Sequence, residues 1–179
     1  MEASEKCPLT CNDMADGQKG RPSVPTDADV RLAEEMVAFI RDCPSMFHTV
    51  ATVCRELDAA GFTHLRETDA WAVEPGGRYY TVRNNSSVIA WKVGAALDAE
   101  TAHFQLVAAH SDSPTFKLKA TSELEGPAGY LRLDTEAYGG MIDYTWFDKP
   151  LSVAGRVLVR DGGRIESRLV SLDQSLNRP

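Results

Sequence analysis

A mostly apolar run of six residues, FQLVAA at positions 104–109, lies past the middle of the chain. Apolar and polar residues do not alternate in it, which is typical of a β-strand buried on both faces. Strands of this kind occupy the centre of the sheet in α/β proteins, where helices cover both faces of the sheet. The run therefore predicts an α/β fold with residues 104–109 as a central strand.

Polar residues follow this run directly, beginning with His110, Ser111 and Asp112. Binding and catalytic groups of open α/β sheets lie at the carboxyl ends of the strands. Side chains two residues apart on an extended segment share a face, so His110 and Asp112 should project on one side, about 6 to 7 Å apart. A carboxylate beside an imidazole fixes its tautomer and makes it a better metal ligand. The ordinary alternative is a strand-end histidine paired with a nearby carboxylate, and three residues do not decide between the two.

The other three histidines have ordinary explanations. His103 precedes His110 by seven residues, so on one extended run it would face the opposite side at roughly 23 Å. His64 lies in a polar loop, and His48 in the first turn of a predicted helix. We expect these three side chains to be surface or capping groups.

Two amphipathic helices are predicted in the first third of the chain. A Thr-x-x-Asp capping pattern starts at Thr26 and precedes apolar residues at three- and four-residue steps, and this helix should end before Pro44. Ser45 can cap a second helix, for which Gly61 supplies the left-handed C-terminal position. Residues 1–25 lack periodic apolar residues and are predicted to be a flexible extension.

Two β-hairpins are also predicted. Residues 79–83 and 88–93 are rich in β-branched and aromatic residues and flank an Asn-Asn-Ser-Ser turn. A second hairpin runs from 151 to 170 around an Asp-Gly-Gly turn. The alternation of residues 116–119 breaks at 122–129, which indicates either an edge strand or a passage between domains with a boundary near residue 120.

Charge and hydropathy exclude two classes of partner. The 179 residues include 19 Lys and Arg against 26 Asp and Glu, a net charge of −7 that repels phosphate backbones and anionic lipid surfaces. No apolar stretch is long enough to span a bilayer. We therefore expect a soluble protein that binds neither nucleic acid nor membrane.

The cysteines and the N-terminus favour a cytoplasmic location. The four cysteines are irregularly spaced (Cys7, Cys11, Cys43 and Cys54), and the first twenty residues lack the apolar segment of a signal peptide. Cys7 and Cys11 could form half of a zinc clip, but no short Cys/His pair completes four ligands.

Six short segments occur in a fixed order along most of the chain. They are Ser45-Met46-Phe47-His48, Ala60-Gly61-Phe62, Tyr79-Tyr80-Thr81-Val82-Arg83-Asn84, Ala109-His110-Ser111-Asp112-Ser113-Pro114, Tyr138-Gly139-Gly140 and Thr145-Trp146-Phe147-Asp148. From about residue 29 to about residue 175, the chain resembles the N-terminal portion of the aspartyl aminopeptidase family of co-catalytic zinc exopeptidases. The His-x-Asp-Ser-Pro and Thr-Trp-Phe-Asp segments are together quite specific.

This resemblance implies a zinc-exopeptidase-like α/β peptidase domain, interrupted by a smaller β-rich domain that serves oligomerisation. Residues 26–120 would be the N-terminal part of the first domain and residues 121–179 the start of the second. The residue matching His110 is a zinc ligand in the family, and the one matching Asp112 supports the metal site and catalysis. The resemblance further implies two zinc ions, peptide substrates with an N-terminal Asp or Glu, and a homo-oligomer.

Family members are more than twice as long, and their general base and remaining metal ligands would lie beyond Pro179. We therefore expect residues 1–179 to be inactive alone, because even one zinc ion normally needs about four ligands. Two other hypotheses stay open. One is a catalytically inactive member of the family that acts only in assembly, and the other is an α/β domain without a metal.

Overall fold

The structure, a computed structural model, describes residues 24–96, 100 and 102–172. The chain divides into two compact units, residues 1–36 and 37–179. Described residues of the first unit belong mostly to the start of helix α1 (Asp27–Asp42). Cys7, Cys11 and nearly all of the predicted N-terminal extension lie outside the described residues. None of the described helices combines the length and apolar character needed to cross a membrane.

Helix α1 begins with the predicted capping pattern. The backbone N–H of Thr26 donates to Asp29 Oδ2 at 2.8 Å, and the N–H of Asp29 donates back to Thr26 Oγ1 at 3.3 Å. This reciprocal pair satisfies two backbone donors that the first helical turn leaves free. The helix ends at Asp42, before Pro44, as predicted.

Helix α2 (Met46–Ala59) has Ser45 at its N-cap position, as predicted, and the Ser45 carbonyl accepts the N–H of Thr49 at 2.9 Å. The Ser45 side chain makes no capping hydrogen bond to the backbone, and its Oγ lies 2.8 Å from His48 Nδ1 instead. The C-terminal prediction is confirmed. Gly61 adopts φ +77°, and its N–H donates to the carbonyl of Asp58 at 3.0 Å.

The first sheet contains β1 (Thr63–His64), β2 (Arg78–Arg83) and β3 (Ser87–Lys92), in the order β1-β2-β3. Strands β2 and β3 form the predicted antiparallel hairpin. Asn84 and Asn85 take left-handed φ values of 52° and 53° in its turn, which asparagine tolerates better than most residues. Strand β1 pairs parallel with β2 and was not predicted.

Tyr79 and Tyr80 of β2, together with Val50 of α2, are the buried hydrophobic residues of the described structure. The Tyr80 hydroxyl donates to Asp58 Oδ1 at 2.7 Å and so connects β2 to α2. The imidazole of His64 stacks on the Tyr80 ring with centroids 4.7 Å apart. Burial, followed by the hydrogen bond to Asp58, raises the pKa of Tyr80 to about 12.

Two further hairpins follow along the chain. They are formed by β4 (Thr115–Glu125) with β5 (Leu131–Tyr138), and by β6 (Ala154–Asp161) with β7 (Arg164–Ser171). The second is the predicted one, and its turn glycines, Gly162 and Gly163, have φ values of 54° and 85°.

The β4–β5 hairpin was not predicted as such. The break in alternation after residue 119 corresponds to a register shift between Leu118 and Glu123, and β4 continues through it to Glu125. The domain boundary near residue 120 remains a prediction.

The central strand expected at 104–109 is absent. Residues 102–114 form no strand, and Phe104, Leu106 and Val107 are 97%, 90% and 95% exposed. None of the described sheets includes this run, so its backbone is not hydrogen-bonded to any described strand. The prediction of a buried strand is therefore wrong for the described structure.

We expect Tyr80→Phe to lower the free energy of unfolding by about 1 kcal/mol at neutral pH, because it removes one hydrogen bond to a carboxylate. The pKa of Tyr80 rises from 10.0 to about 12 on folding, so this group's stabilisation is fully present below pH 10.0 and disappears as the pH passes about 12. Urea unfolding of both proteins across this range measures the difference. Tyr130→Phe, at a side chain that is 73% exposed, is the matched control. A difference that stays constant up to pH 12 would contradict this assignment.

Candidate metal centre

His110 and Asp112 lie together, as their spacing predicts. His110 Nδ1 is 3.3 Å from Asp112 Oδ1, although neither residue belongs to a strand. The imidazole is 93% exposed, whereas the carboxylate is only 24% exposed. The carboxylate is therefore the fixed partner of the pair, and the imidazole is the accessible one.

Tyr138, the last residue of β5, holds the other oxygen of this carboxylate. Its hydroxyl donates to Asp112 Oδ2 at 2.7 Å. This hydrogen bond, with a smaller contribution from His110, lowers the pKa of Asp112 below its usual value, and Asp112 in turn raises the pKa of Tyr138. Both shifts favour an ionised Asp112 beside a protonated Tyr138, the states that these groups also have at neutral pH on their own.

The ionised state of Asp112 determines the tautomer of a neutral His110. A carboxylate without a proton can only accept hydrogen bonds, so the facing Nδ1 must carry the ring proton. Nε2 is then left with a free lone pair on an exposed ring. Metal-binding histidines typically have this arrangement, in which a carboxylate accepts from one ring nitrogen and the other nitrogen binds the metal. The residues present therefore fit one zinc ligand with its supporting acid.

Two further contacts fix the segment that carries the pair. The hydroxyl of Ser111 donates to the backbone carbonyl of Ser86 at 2.9 Å, which ties the segment to the β2–β3 turn. Gly139 takes φ +78° directly after β5, and a Cβ there would lie 3.5 Å from the ring of Pro114. The end of β5 therefore lies beside both Asp112 and Pro114.

Two other histidines, His48 and His64, have contacts elsewhere and do not join this pair. His48 contacts Ser45, and His64 stacks on Tyr80. Across the part of the chain that the structure describes, no three His, Cys, Asp or Glu side chains are grouped so that they could hold a metal ion. The described residues thus provide one imidazole and its carboxylate, fewer than the about four ligands that zinc prefers.

Sequence analysis did not identify Tyr138 as a site residue. The segment Tyr138-Gly139-Gly140 contributed only to the family resemblance. Tyr138 is 26 residues from Asp112, on a strand that the alternation pattern did not reveal. No local spacing rule connects the two positions.

The profile of the Aminopeptidase I zinc metalloprotease (M18) family matches residues 39–178. The chain belongs to this family. It is 43% identical over 145 residues to "Probable M18 family aminopeptidase 2" of Pseudomonas paraeruginosa, covering 81% of this chain and 33% of the relative. The protein of the same name from Clostridium acetobutylicum is 37% identical over 150 residues, covering 83% and 34%. The chain spans about a third of the length of these curated relatives.

Solved structures of M18 proteins share the fold. The chain resembles Ape4 in its complex with Nbr1, with a TM-score of 0.74 and 38% identity over 79% of this chain and 27% of the other. For mApe1 of Chaetomium thermophilum the TM-score is 0.70, with 34% identity over 80% and 33%. For the mApe1 dodecamer of S. cerevisiae it is 0.67, with 31% identity over 78% and 33%. The α/β peptidase fold and the family resemblance predicted from the sequence are confirmed.

We expect Tyr138→Phe to raise the pKa of Asp112 toward the ordinary value of an aspartate, because the phenol is the largest cause of its lowering. A carboxyl ¹³C NMR titration of the two proteins measures this pKa directly. Tyr144→Phe, at a side chain that is 75% exposed in the 3₁₀ turn after β5, is the control and should leave the pKa unchanged. An equal pKa of Asp112 in wild type and Tyr138→Phe would rule out the role given to this hydrogen bond.

Proposed function

We propose that this chain contributes to an M18 zinc aminopeptidase that removes N-terminal Asp and Glu residues from peptides. The observation that carries the proposal is the contact series from Tyr138 through Asp112 to His110, which leaves one imidazole nitrogen accessible for a metal. Membership of a zinc metalloprotease family supports the hydrolytic reaction and the metal. The acidic preference is supported by the resemblance to aspartyl aminopeptidases.

His110 is the proposed zinc ligand, acting through Nε2. Asp112 keeps the ring proton on Nδ1 and fixes the orientation of the ring, and the hydrogen bond from Tyr138 fixes the position of Asp112. In the complete site two zinc ions would lower the pKa of a bound water and polarise the scissile carbonyl. The contribution of Asp112 to catalysis is to hold His110 in one tautomer and one position.

We propose a homo-oligomer as the assembled state, with residues 121–179 forming part of its β-rich oligomerisation domain. Large side chains in this region are exposed: Tyr130 at 73%, Ile142 at 67%, Tyr144 at 75% and Phe147 at 58%. Aromatic side chains are enriched in the centres of protein interfaces. The S. cerevisiae relative is a dodecamer, which agrees with this assignment.

The proposed partners and compartment follow from charge and thiol chemistry. A net charge of −7 disfavours nucleic acid and anionic membranes as partners, and the peptidase family supports peptide substrates. Among the described residues, Cys43 and Cys54 are free thiols, as is usual in the reducing cytoplasm.

A chimaera tests the role of His110. Residues 39–178 of this chain would replace the matching third of the Pseudomonas paraeruginosa relative, which provides the rest of the peptidase. We expect the chimaera to release N-terminal Asp and Glu in preference to Leu. His110→Ala should lower its zinc content and abolish turnover, because the substitution removes a metal ligand.

His103→Ala is the matched control, because it removes an imidazole seven residues away and should change neither property. Elemental analysis and a fluorogenic peptide assay provide the two readouts. Equal zinc content in wild type and His110→Ala would refute the ligand assignment. A folded, zinc-loaded chimaera with no preference for acidic residues would refute the proposed specificity.

A second candidate function is assembly without catalysis. It is favoured by the lack of a grouped ligand set within the described residues. We expect residues 1–179 alone to hydrolyse an N-terminal aspartyl peptide no faster than buffer with the same zinc, because the described residues offer one imidazole and its carboxylate rather than a grouped ligand set. Chelator-sensitive turnover by this chain alone would show that it completes a site by itself. An inactive chain with an active chimaera supports the peptidase role, and inactivity of both supports assembly alone.

A further inference from the structure

Arg156 of β6 contacts two elements from the first half of the chain. Its guanidinium carbon lies 4.1 Å from the centre of the Phe47 ring in α2. Its Nη1 donates to the backbone carbonyl of Asn84 at 2.9 Å and lies 3.4 Å from Asn84 Oδ1. The planar guanidinium is therefore held on its face by the ring and at its edge by the turn between β2 and β3.

The same turn contacts the segment from His110 to Pro114, which carries the proposed metal ligand and is called the metal-binding segment below. Asn84 and Asn85 both have left-handed backbone, and the N–H of Ser86 donates to the carbonyl of Arg83 at 3.1 Å. The carbonyl of Ser86 then accepts the hydrogen bond from Ser111 at 2.9 Å. Arg156 and Ser111 thus donate to two backbone carbonyls of the same turn, those of Asn84 and Ser86, with one residue between them.

The turn is also held from outside. Asn84 and Asn85 place two consecutive non-glycine residues in the left-handed region, which asparagine tolerates better than most residues and which contacts from neighbouring elements stabilise further. Hydrogen bonds from a charged donor are about twice as strong as neutral ones. The bond from Arg156 to the Asn84 carbonyl is such a contact, and it acts on the first of the two left-handed residues.

We propose that Arg156 is a positioning residue for His110 and Asp112. It fixes the β2–β3 turn so that the Ser86 carbonyl receives Ser111, the residue between the proposed ligand and its carboxylate. The effect of Arg156 on catalysis rests on the proposed function. The contacts from Arg156 through the β2–β3 turn to Ser111 do not depend on it.

Hydrogen–deuterium exchange and backbone ¹⁵N relaxation of the 179-residue protein test the chain of contacts without any activity. Arg156→Met keeps an unbranched apolar side chain, although a shorter one, and removes the charge and the donors. We expect exchange on the order of tenfold faster in a peptide covering 83–87, since a hydrogen bond to a charged group contributes stability of this size. In the described structure the amides of 109–113 donate no backbone hydrogen bond, so for this segment we expect lower ¹⁵N order parameters instead. Arg160→Met, four residues along the same face of β6, is the control and should leave both segments unchanged.

Ser111→Ala separates the two steps. It should lower the ¹⁵N order parameters of 109–113 alone, and the double variant with Arg156→Met should lower them no further. Faster exchange of 83–87 in Arg156→Met with unchanged order parameters in 109–113 would overturn the proposal, as would additive effects on 109–113 in the double variant.

Arg156→Lys covers the case in which Arg156→Met accelerates exchange throughout the protein. Lysine retains a cation near Phe47 and one donor for Asn84, so the fold should persist, and both the exchange of 83–87 and the order parameters of 109–113 should change less than in Arg156→Met. No change in either segment would overturn the proposal.

In the chimaera, Arg156→Met should lower kcat about 10 to 100-fold with KM little changed, as expected for a supporting contact of a metal ligand, and Arg156→Lys should recover part of the loss. A raised KM with normal kcat would contradict positioning of the metal-binding segment. If the unsubstituted chimaera is inactive, the proposed function fails, and the exchange result still decides the role of Arg156.

Discussion

The candidate site depends on one carboxylate that is shared between a phenol and an imidazole. Asp112 accepts from Tyr138 on one oxygen and faces His110 with the other. The first contact fixes the position of the carboxylate, and the ionised carboxylate in turn determines which ring nitrogen of His110 is free. Residues 102–114 belong to no strand, and side-chain contacts of Ser111 and Asp112 hold this part of the segment.

Elements defined by local chemistry were predictable from the sequence. Thr26 and Asp29 bond to each other across one helical turn, and Gly61 takes the conformation that ends α2. The asparagine and glycine turns likewise identify the β2–β3 and β6–β7 hairpins. Each of these signals needs only residues a few positions apart, so one sequence is enough to recognise it.

Elements defined by distant partners were not predictable in this way. Strand β1 has two residues and exists because it pairs with Tyr79 and Tyr80 in β2. The 104–109 pattern describes a segment suited to burial, but it does not say which strand lies beside it. At the site, spacing alone brought His110 and Asp112 together. Tyr138 and Arg156 act across 26 and 72 residues, so only the structure revealed them.

These sequence separations also affect how the protein is made. Tyr138 and Arg156 lie 28 and 46 residues after His110. A ribosome that adds about 5–20 residues per second therefore completes His110 and Asp112 seconds before it adds Tyr138 and Arg156. During that interval neither Asp112 nor the β2–β3 turn has its later partner. The imidazole of His110 is then free to take either tautomer and to rotate. A nascent chain therefore acquires an ordered His110–Asp112 pair only after both later strands have folded back, when most of this chain has been synthesised.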